Sequence, residues 1–100
     1  MPGNLRFDAA LWEWTGPGAS WFFVTLPEGL SDDIDEAQTG RRAGFGSVKV
    51  RVTIGKTTWD TSLFPSRDAG AFILPIKKSV RSAEGLDEGS TACIALCTLT

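Results

Sequence analysis

A chain of 100 residues with a net charge of −2 is long enough to bury one hydrophobic core and too short to bury two. Its hydrophobic fraction of 42% and charged fraction of 22% exclude a disordered or collagen-like protein. No apolar run approaches the roughly 18 residues of a membrane-spanning helix, and the N-terminus lacks a secretory signal pattern. The sequence therefore predicts one domain over residues 1–100, located in the cytoplasm and without membrane contact.

The first half of the chain predicts two strands and a short helix. Apolar residues between positions 5 and 14 predict a first strand, which the glycines and proline of residues 16–18 close with a turn. The aromatic and β-branched run Trp21–Leu26 predicts a second strand that is buried on both faces. This strand ends at Pro27, which has no amide hydrogen to donate. Apolar residues four apart within 28–36 predict one or two helical turns.

The second half predicts a β-hairpin, two further strands and a helix. Residues 48–54 alternate apolar and polar side chains, which is typical of a half-buried strand, and Gly55-Lys56 makes a tight turn into a strand over 57–64. The remaining elements are a strand over 71–74, a helix over 76–83 that Gly85 closes, and a last strand over 91–99. Because an apolar strand runs into a proline and a short helix at both Pro27 and Pro75, the pattern indicates a weak internal repeat.

The apolar residues of these elements should form one core. Four tryptophans supply much of the apolar area in so small a chain, which favours core packing for their rings. The residues expected to form most of the core are Phe7, Leu11, Trp21, Phe23, Val24, Leu26, Val48, Val50, Val52, Ile54, Trp59, Leu63, Phe72, Leu74, Val80, Ile94 and Leu96.

Three segments, Trp21–Pro27, Trp59–Pro65 and Leu74–Arg81, together resemble the bacterial domain of unknown function DUF1905. The resemblance covers nearly the whole chain and implies a small β-barrel capped by short helices, similar to the double-split barrel of looped-hinge transition-state regulators and certain antitoxins. Residues 72–89 also look like the core of those DNA-binding regulators. The expected fold is therefore all-β, a double-split barrel of six or seven strands with one or two capping helices. The resemblance implies no established activity.

The side chains that most often perform catalysis or bind metals are scarce. The chain has no histidine, which excludes histidine-based triads and histidine-ligated metal sites. Cys93 and Cys97 lie on one strand about 13 Å apart, beyond the ~7 Å limit of a disulfide, and are expected to be free thiols packed as small apolar side chains. The sequence predicts no catalytic residue, no metal site and no cofactor, so a non-enzymatic protein is favoured.

Charge is distributed unevenly along the chain. Residues 1–40 sum to −6, residues 41–81 to +7 and residues 82–100 to −3. This asymmetry has two interpretations, because the basic segment either pairs with acidic parts of the fold or forms a surface for a polyanion such as a nucleic acid. The residues that would form the polyanion surface are Arg41, Arg42, Lys49, Arg51, Lys77, Lys78 and Arg81.

A third interpretation is a small-molecule site or an unrecognised enzyme. In this hypothesis Trp12, Trp21 and Trp59 border a pocket at the mouth of the barrel. The favoured function is a non-enzymatic binding or interaction domain of unknown ligand, with a protein partner as one option and nucleic acid as a less favoured one. A monomer is favoured over a homodimer, since the internal repeat lets one chain build both halves of a barrel.

Overall fold

The computed structural model describes residues 5–37 and 47–99, with no side-chain detail at 35–37. Seven strands and two helices follow one another along these residues. In chain order they are β1 (Leu5–Ala10), β2 (Trp12–Gly16), β3 (Ala19–Thr25), α1 (Glu28–Ala37), β4 (Val48–Ile54), β5 (Thr57–Ser66), β6 (Ala71–Pro75), α2 (Lys78–Glu84) and β7 (Thr91–Thr98). The prediction of a mostly-β fold with six or seven strands and one or two short helices is confirmed, and neither helix is long and apolar enough to span a bilayer.

All seven strands belong to one antiparallel sheet in the order β1-β7-β4-β5-β6-β3-β2. The sheet curls into a half-barrel because β5 changes partner along its length. Its residues 57–63 pair with β4, and its residues 64–66 pair with β6. The long central strand therefore joins the two halves of the sheet.

Leu11 divides what the sequence predicts as one strand into β1 and β2. β1 pairs with β7 and β2 pairs with β3, so the two ends of the strand order meet at this single residue. The Leu11 side chain is buried, its amide donates to the Ser90 carbonyl at 2.9 Å, and its carbonyl accepts from the Gly89 amide at 2.8 Å. The break in the strand is thus held on both sides by the loop before β7.

The core fills the inside of the curled sheet. β4 contributes Val48, Val50, Val52 and Ile54 at alternate positions, as the period-two pattern predicts, and β7 adds Ile94 and Leu96 from the neighbouring strand. The helices cover the open side with the buried residues Ile34 of α1 and Val80 of α2. Fourteen of the expected core residues are buried: Phe7, Leu11, Val24, Leu26, Val48, Val50, Val52, Ile54, Leu63, Phe72, Leu74, Val80, Ile94 and Leu96.

Three aromatic residues expected in the core are not fully buried. Trp21 is 56% exposed, Phe23 is half-buried on the opposite face of β3 from Val24, and Trp59 packs against the edge of the core. The prediction that Trp21–Leu26 is buried on both faces is therefore wrong. Alternation sends only one side of the strand inwards, and no described helix covers the other side.

The two cysteines are free thiols on one face of β7, as predicted, but they do not belong to the core. Cys93 is exposed and Cys97 is half-buried, because the buried positions of β7 are Ala92, Ile94 and Leu96. The odd-numbered positions of this strand therefore face outwards.

The predicted repeat appears in the structure with a shift of two residues. β3 and β6 pair antiparallel and each leads into a helix, α1 from Glu28 and α2 from Lys78, 50 residues apart. Two equivalent hydrogen bonds flank the pair, from the Leu26 amide to the Phe72 carbonyl at 3.0 Å and from the Ile76 amide to the Phe22 carbonyl at 2.8 Å. Pro27 and Pro75 are 48 residues apart, so the prolines occupy different positions in the two halves.

Glu84 at the end of α2 forms hydrogen bonds with the β4–β5 turn. Its carboxylate accepts a hydrogen bond from the Thr57 hydroxyl at 2.6 Å and one from the Lys56 amide at 3.3 Å. Gly55 has φ of +58°, and a Cβ added there would overlap this carboxylate. The turn therefore favours glycine for its backbone conformation, and an added Cβ would also force the Glu84 carboxylate to move.

We expect Gly55→Ala to lower the free energy of unfolding by about 1–3 kcal/mol, because alanine is strained at this φ and displaces Glu84. Urea unfolding followed by circular dichroism measures the change. Gly18→Ala is the matched control, since Gly18 has φ of +73° but no atom within 4 Å of the added Cβ. Equal losses in the two variants would show that the contact with Glu84 contributes nothing.

Candidate functional site

The outer face of β2, β3, β6 and β5 forms a groove whose largest lining side chains are aromatic. β3 and β6 form its floor, β2 stands on one side, and β5 with the turn after it stands on the other. The volume of the groove is about 980 Å³. This aromatic groove is lined by Trp12, Trp14, Trp21, Phe23, Thr25, Thr61, Phe64, Ser66, Asp68, Ala69, Ile73 and Pro75.

The floor of the aromatic groove is the reverse side of two core strands. In β6, Leu74 points into the core, so its neighbours Ile73 and Pro75 face the groove. The antiparallel register places Phe23 opposite Pro75 and Thr25 opposite Ile73, which extends the apolar floor across both strands. The same packing that fixes the core therefore fixes the shape of the groove.

Trp12 is held in place by two contacts. Its indole N–H donates to the Thr25 hydroxyl at 2.9 Å. Its ring lies 5.1 Å from that of Phe23, with an angle of 33° between the planes. A distance in this range is favourable for aromatic pairs, so the ring is oriented without any ligand.

Trp14 and Trp21 lie directly opposite each other on β2 and β3 and are 49% and 56% exposed. The Trp14 ring lies over Gly16, where an added Cβ would overlap it. On the other side of the groove Phe64 is 42% exposed. Three large apolar side chains are thus presented to solvent around one concave surface.

A smaller cleft of about 230 Å³ adjoins the aromatic groove. Trp21, Thr61 and Pro75 line both spaces. The lining of this side cleft is completed by Phe22, Trp59, Asp60, Ile76 and Lys77. The two spaces are therefore neighbours on the surface, and Trp21 contributes to the lining of both.

The structure brings the three predicted pocket residues to these two neighbouring spaces. Trp12 lines the groove, Trp59 lines the side cleft and Trp21 lines both. Sequence reasoning did not name Phe64 for this surface, and it left Trp14 out of the predicted pocket. Alternation was the available signal, because Trp12 and Trp14 lie two residues apart and so share a face of one strand.

The residues predicted for a polyanion surface lie on separate elements. Lys49 and Arg51 point outwards from β4, while Lys77 and Lys78 are exposed at the start of α2. Arg81 is half-buried, with its guanidinium 3.9 Å from the centre of the Phe22 ring and its Nε donating to the Ile76 carbonyl at 3.2 Å. Arg41 and Arg42 lie outside the described residues.

Two comparisons with known proteins bear on identity. The family model of the domain of unknown function DUF1905 matches residues 7–96. The chain belongs to this family. A search of curated proteins found no match.

Arg51 of this DUF1905 domain is paired with Asp60 across the β4–β5 ladder. Its Nε and Nη2 donate to the two carboxylate oxygens at 2.7 and 3.1 Å. These hydrogen bonds and the positive charge hold the pKa of Asp60 below its ordinary value of 3.8 and raise that of Arg51. Because both groups are exposed, the pair lies in contact with water and is screened by salt.

We expect Arg51→Met to raise the pKa of Asp60 towards 3.8, measured from its carboxyl signal by NMR. A carboxyl whose pKa is lowered by folding stabilises the native state above the unfolded pKa, and that contribution disappears as the pH falls through the folded pKa. The variant should therefore lose less stability on acidification than the parent DUF1905 domain. Lys49→Met removes a positive charge two residues away on the same face and is the control. An equal rise in both variants would contradict a specific pair.

Proposed function

We propose that this DUF1905 domain is a non-enzymatic binding domain whose site is the aromatic groove and whose ligand is a small organic molecule with a flat apolar body. The observation that carries the proposal is the exposure of Trp14, Trp21 and Phe64 around one concave surface. Single exposed apolar residues are common on proteins, but a contiguous patch marks a binding surface. The groove volume of about 980 Å³ lies within the range of small-molecule sites.

The chemistry of the lining supports a planar apolar ligand. Indole and phenyl rings offer flat faces on which another ring stacks, and Pro75 and Ile73 offer an apolar floor. Thr25 adds a hydroxyl, which accepts from Trp12 and keeps its own hydrogen for a ligand acceptor. The lining of the groove thus combines a few polar groups with many apolar ones, which is the usual composition of a ligand pocket.

NMR titration with 2-phenylethanol, a small neutral molecule with one aromatic ring, tests the proposal. The four tryptophan indole N–H groups provide the signals to follow. We expect saturable shifts at Trp12, Trp14 and Trp21, with little change on the outer face of β7 at Cys93. Absence of any saturable shift, or shifts of equal size at Cys93, would contradict a site in the groove.

The finer description of the fold as a double-split barrel is also part of the proposal. One observation that supports it is that β5 pairs with β4 over one part of its length and with β6 over the other. Similarly, the segment on either side of Leu11 pairs with β7 through β1 and with β3 through β2. Bacterial origin, a cytoplasmic location, a monomeric state and a protein partner remain predictions. So does polyanion binding, for which the described basic residues offer less support, because Asp60 already neutralises Arg51.

A further inference from the structure

We infer that the ligand of the proposed site is dipolar and binds in one orientation, with its cationic group near Asp68 and its anionic group near Lys77. This inference rests on the proposed function, because it concerns the ends of the same aromatic groove. It follows from where the described chain places charged side chains around an otherwise apolar surface.

β6 contributes residues to the lining of both the groove and the side cleft. Asp68 lies in the turn before β6 and lines the groove, whereas Lys77 follows the end of β6 and lines the side cleft. β6 has five residues, so its two ends are separated by about 13 Å. The two charges therefore lie beyond opposite ends of β6, beside two neighbouring spaces that both have Trp21 and Pro75 in their linings.

Asp68 is the acidic end. Among the described residues that line the groove it is the one with a charge, and it is exposed. No ion pair or hydrogen bond of its side chain occurs in the described part of the chain. A cation beside this carboxylate would also lie close to aromatic rings, whose faces attract positive charge.

Lys77 is the basic end. Asp60 shares the side cleft with it, but both oxygens of Asp60 accept from Arg51 at 2.7 and 3.1 Å. The negative charge in the cleft is thus already compensated. Lys77 is exposed, and its ammonium has no ion-pair partner among the described side chains of residues 5–34 and 47–99. The uncompensated charge at this end is positive and favours an anionic group.

Three probes with one aromatic ring separate the two ends: 2-phenylethylamine as the cation, 3-phenylpropionate as the anion and 2-phenylethanol as the neutral reference. Each is titrated by NMR against the parent chain and against Asp68→Asn and Lys77→Gln. The matched controls are Asp33→Asn, an exposed carboxylate on α1, and Lys78→Gln, the exposed lysine next to Lys77 that does not line the cleft.

We expect Asp68→Asn to weaken binding of the amine about threefold and Lys77→Gln to weaken binding of the acid about threefold, the size expected for one exposed charge. Because 2-phenylethanol carries no charge, each variant should weaken binding of this probe less than binding of the matching charged probe, and both charge effects should shrink with salt. Equal effects in the control variants, or no effect in one or both of the charge variants, would overturn the dipolar inference. Binding of 2-phenylethanol would still support the groove as a site. Failure of all three probes to bind the parent chain would overturn the proposed function and the inference together.

Discussion

Trp21→Ala is expected to weaken binding of 2-phenylethanol in the aromatic groove by at least about tenfold, with little loss of stability. An aromatic side chain at the centre of a binding surface commonly contributes more than 1 kcal/mol, and a tenfold change corresponds to about 1.4 kcal/mol. Trp21 is 56% exposed, so removing its ring leaves no cavity in the core. NMR titration gives the affinity, and urea unfolding gives the stability.

Leu99→Ala is the matched control for this prediction. Leu99 is 41% exposed and lines none of the spaces that Trp21 lines. Its removal therefore tests whether loss of any exposed apolar side chain weakens binding. The same loss of affinity in both variants would contradict a defined site at Trp21.

The largest expected effect on stability is that of Leu74→Ala, which should lower the free energy of unfolding by about 2–5 kcal/mol. Leu74 is 0% exposed on the floor strand β6, and it pairs in register with Val24 of β3. Truncating it leaves a cavity in the core in addition to the lost burial. Urea unfolding measures the change.

Ile73→Ala gives the complementary result. Ile73 precedes Leu74 on the same strand but lies half-buried in the aromatic groove. We expect this variant to cost less stability than Leu74→Ala and to weaken 2-phenylethanol binding more. Equal losses of stability would mean that the two faces of β6 contribute alike to folding, contrary to the observed burial.

Much of the fold was predictable where buried and exposed residues alternate regularly along the sequence. The side chains of the strand Val48–Ile54 alternate between core and solvent along its whole length. The turn after it was predictable because Gly55 adopts a positive φ readily and a second strand begins two residues later. α2 begins two residues later than predicted, and Gly85 ends it in the left-handed conformation. These features depend on local sequence, and so local reasoning finds them.

The candidate site was predictable only in part because hydrophobicity does not reveal what covers a face. Within Trp21–Leu26 every position except Thr25 is apolar, so a strand buried on both faces and a strand with one face lining a groove have the same pattern. Which of the two occurs depends on the strand order, which places β2 beside β3 and leaves the outer face of both without a covering helix among the described residues. The exposure of Cys93 escaped prediction for the same reason.

Leu11 also determines how the sheet opens. β1 and β2 are the two edge strands of the sheet, and Leu11 alone connects them. Fraying of one edge strand near Leu11 therefore disturbs the other. Opening at this point removes a buried leucine from the core and breaks both backbone hydrogen bonds to the loop at 89–90. At the Leu11 end neither edge strand of the sheet therefore opens without disturbing the other, and β2 beside the aromatic groove shares the protection of β1 there.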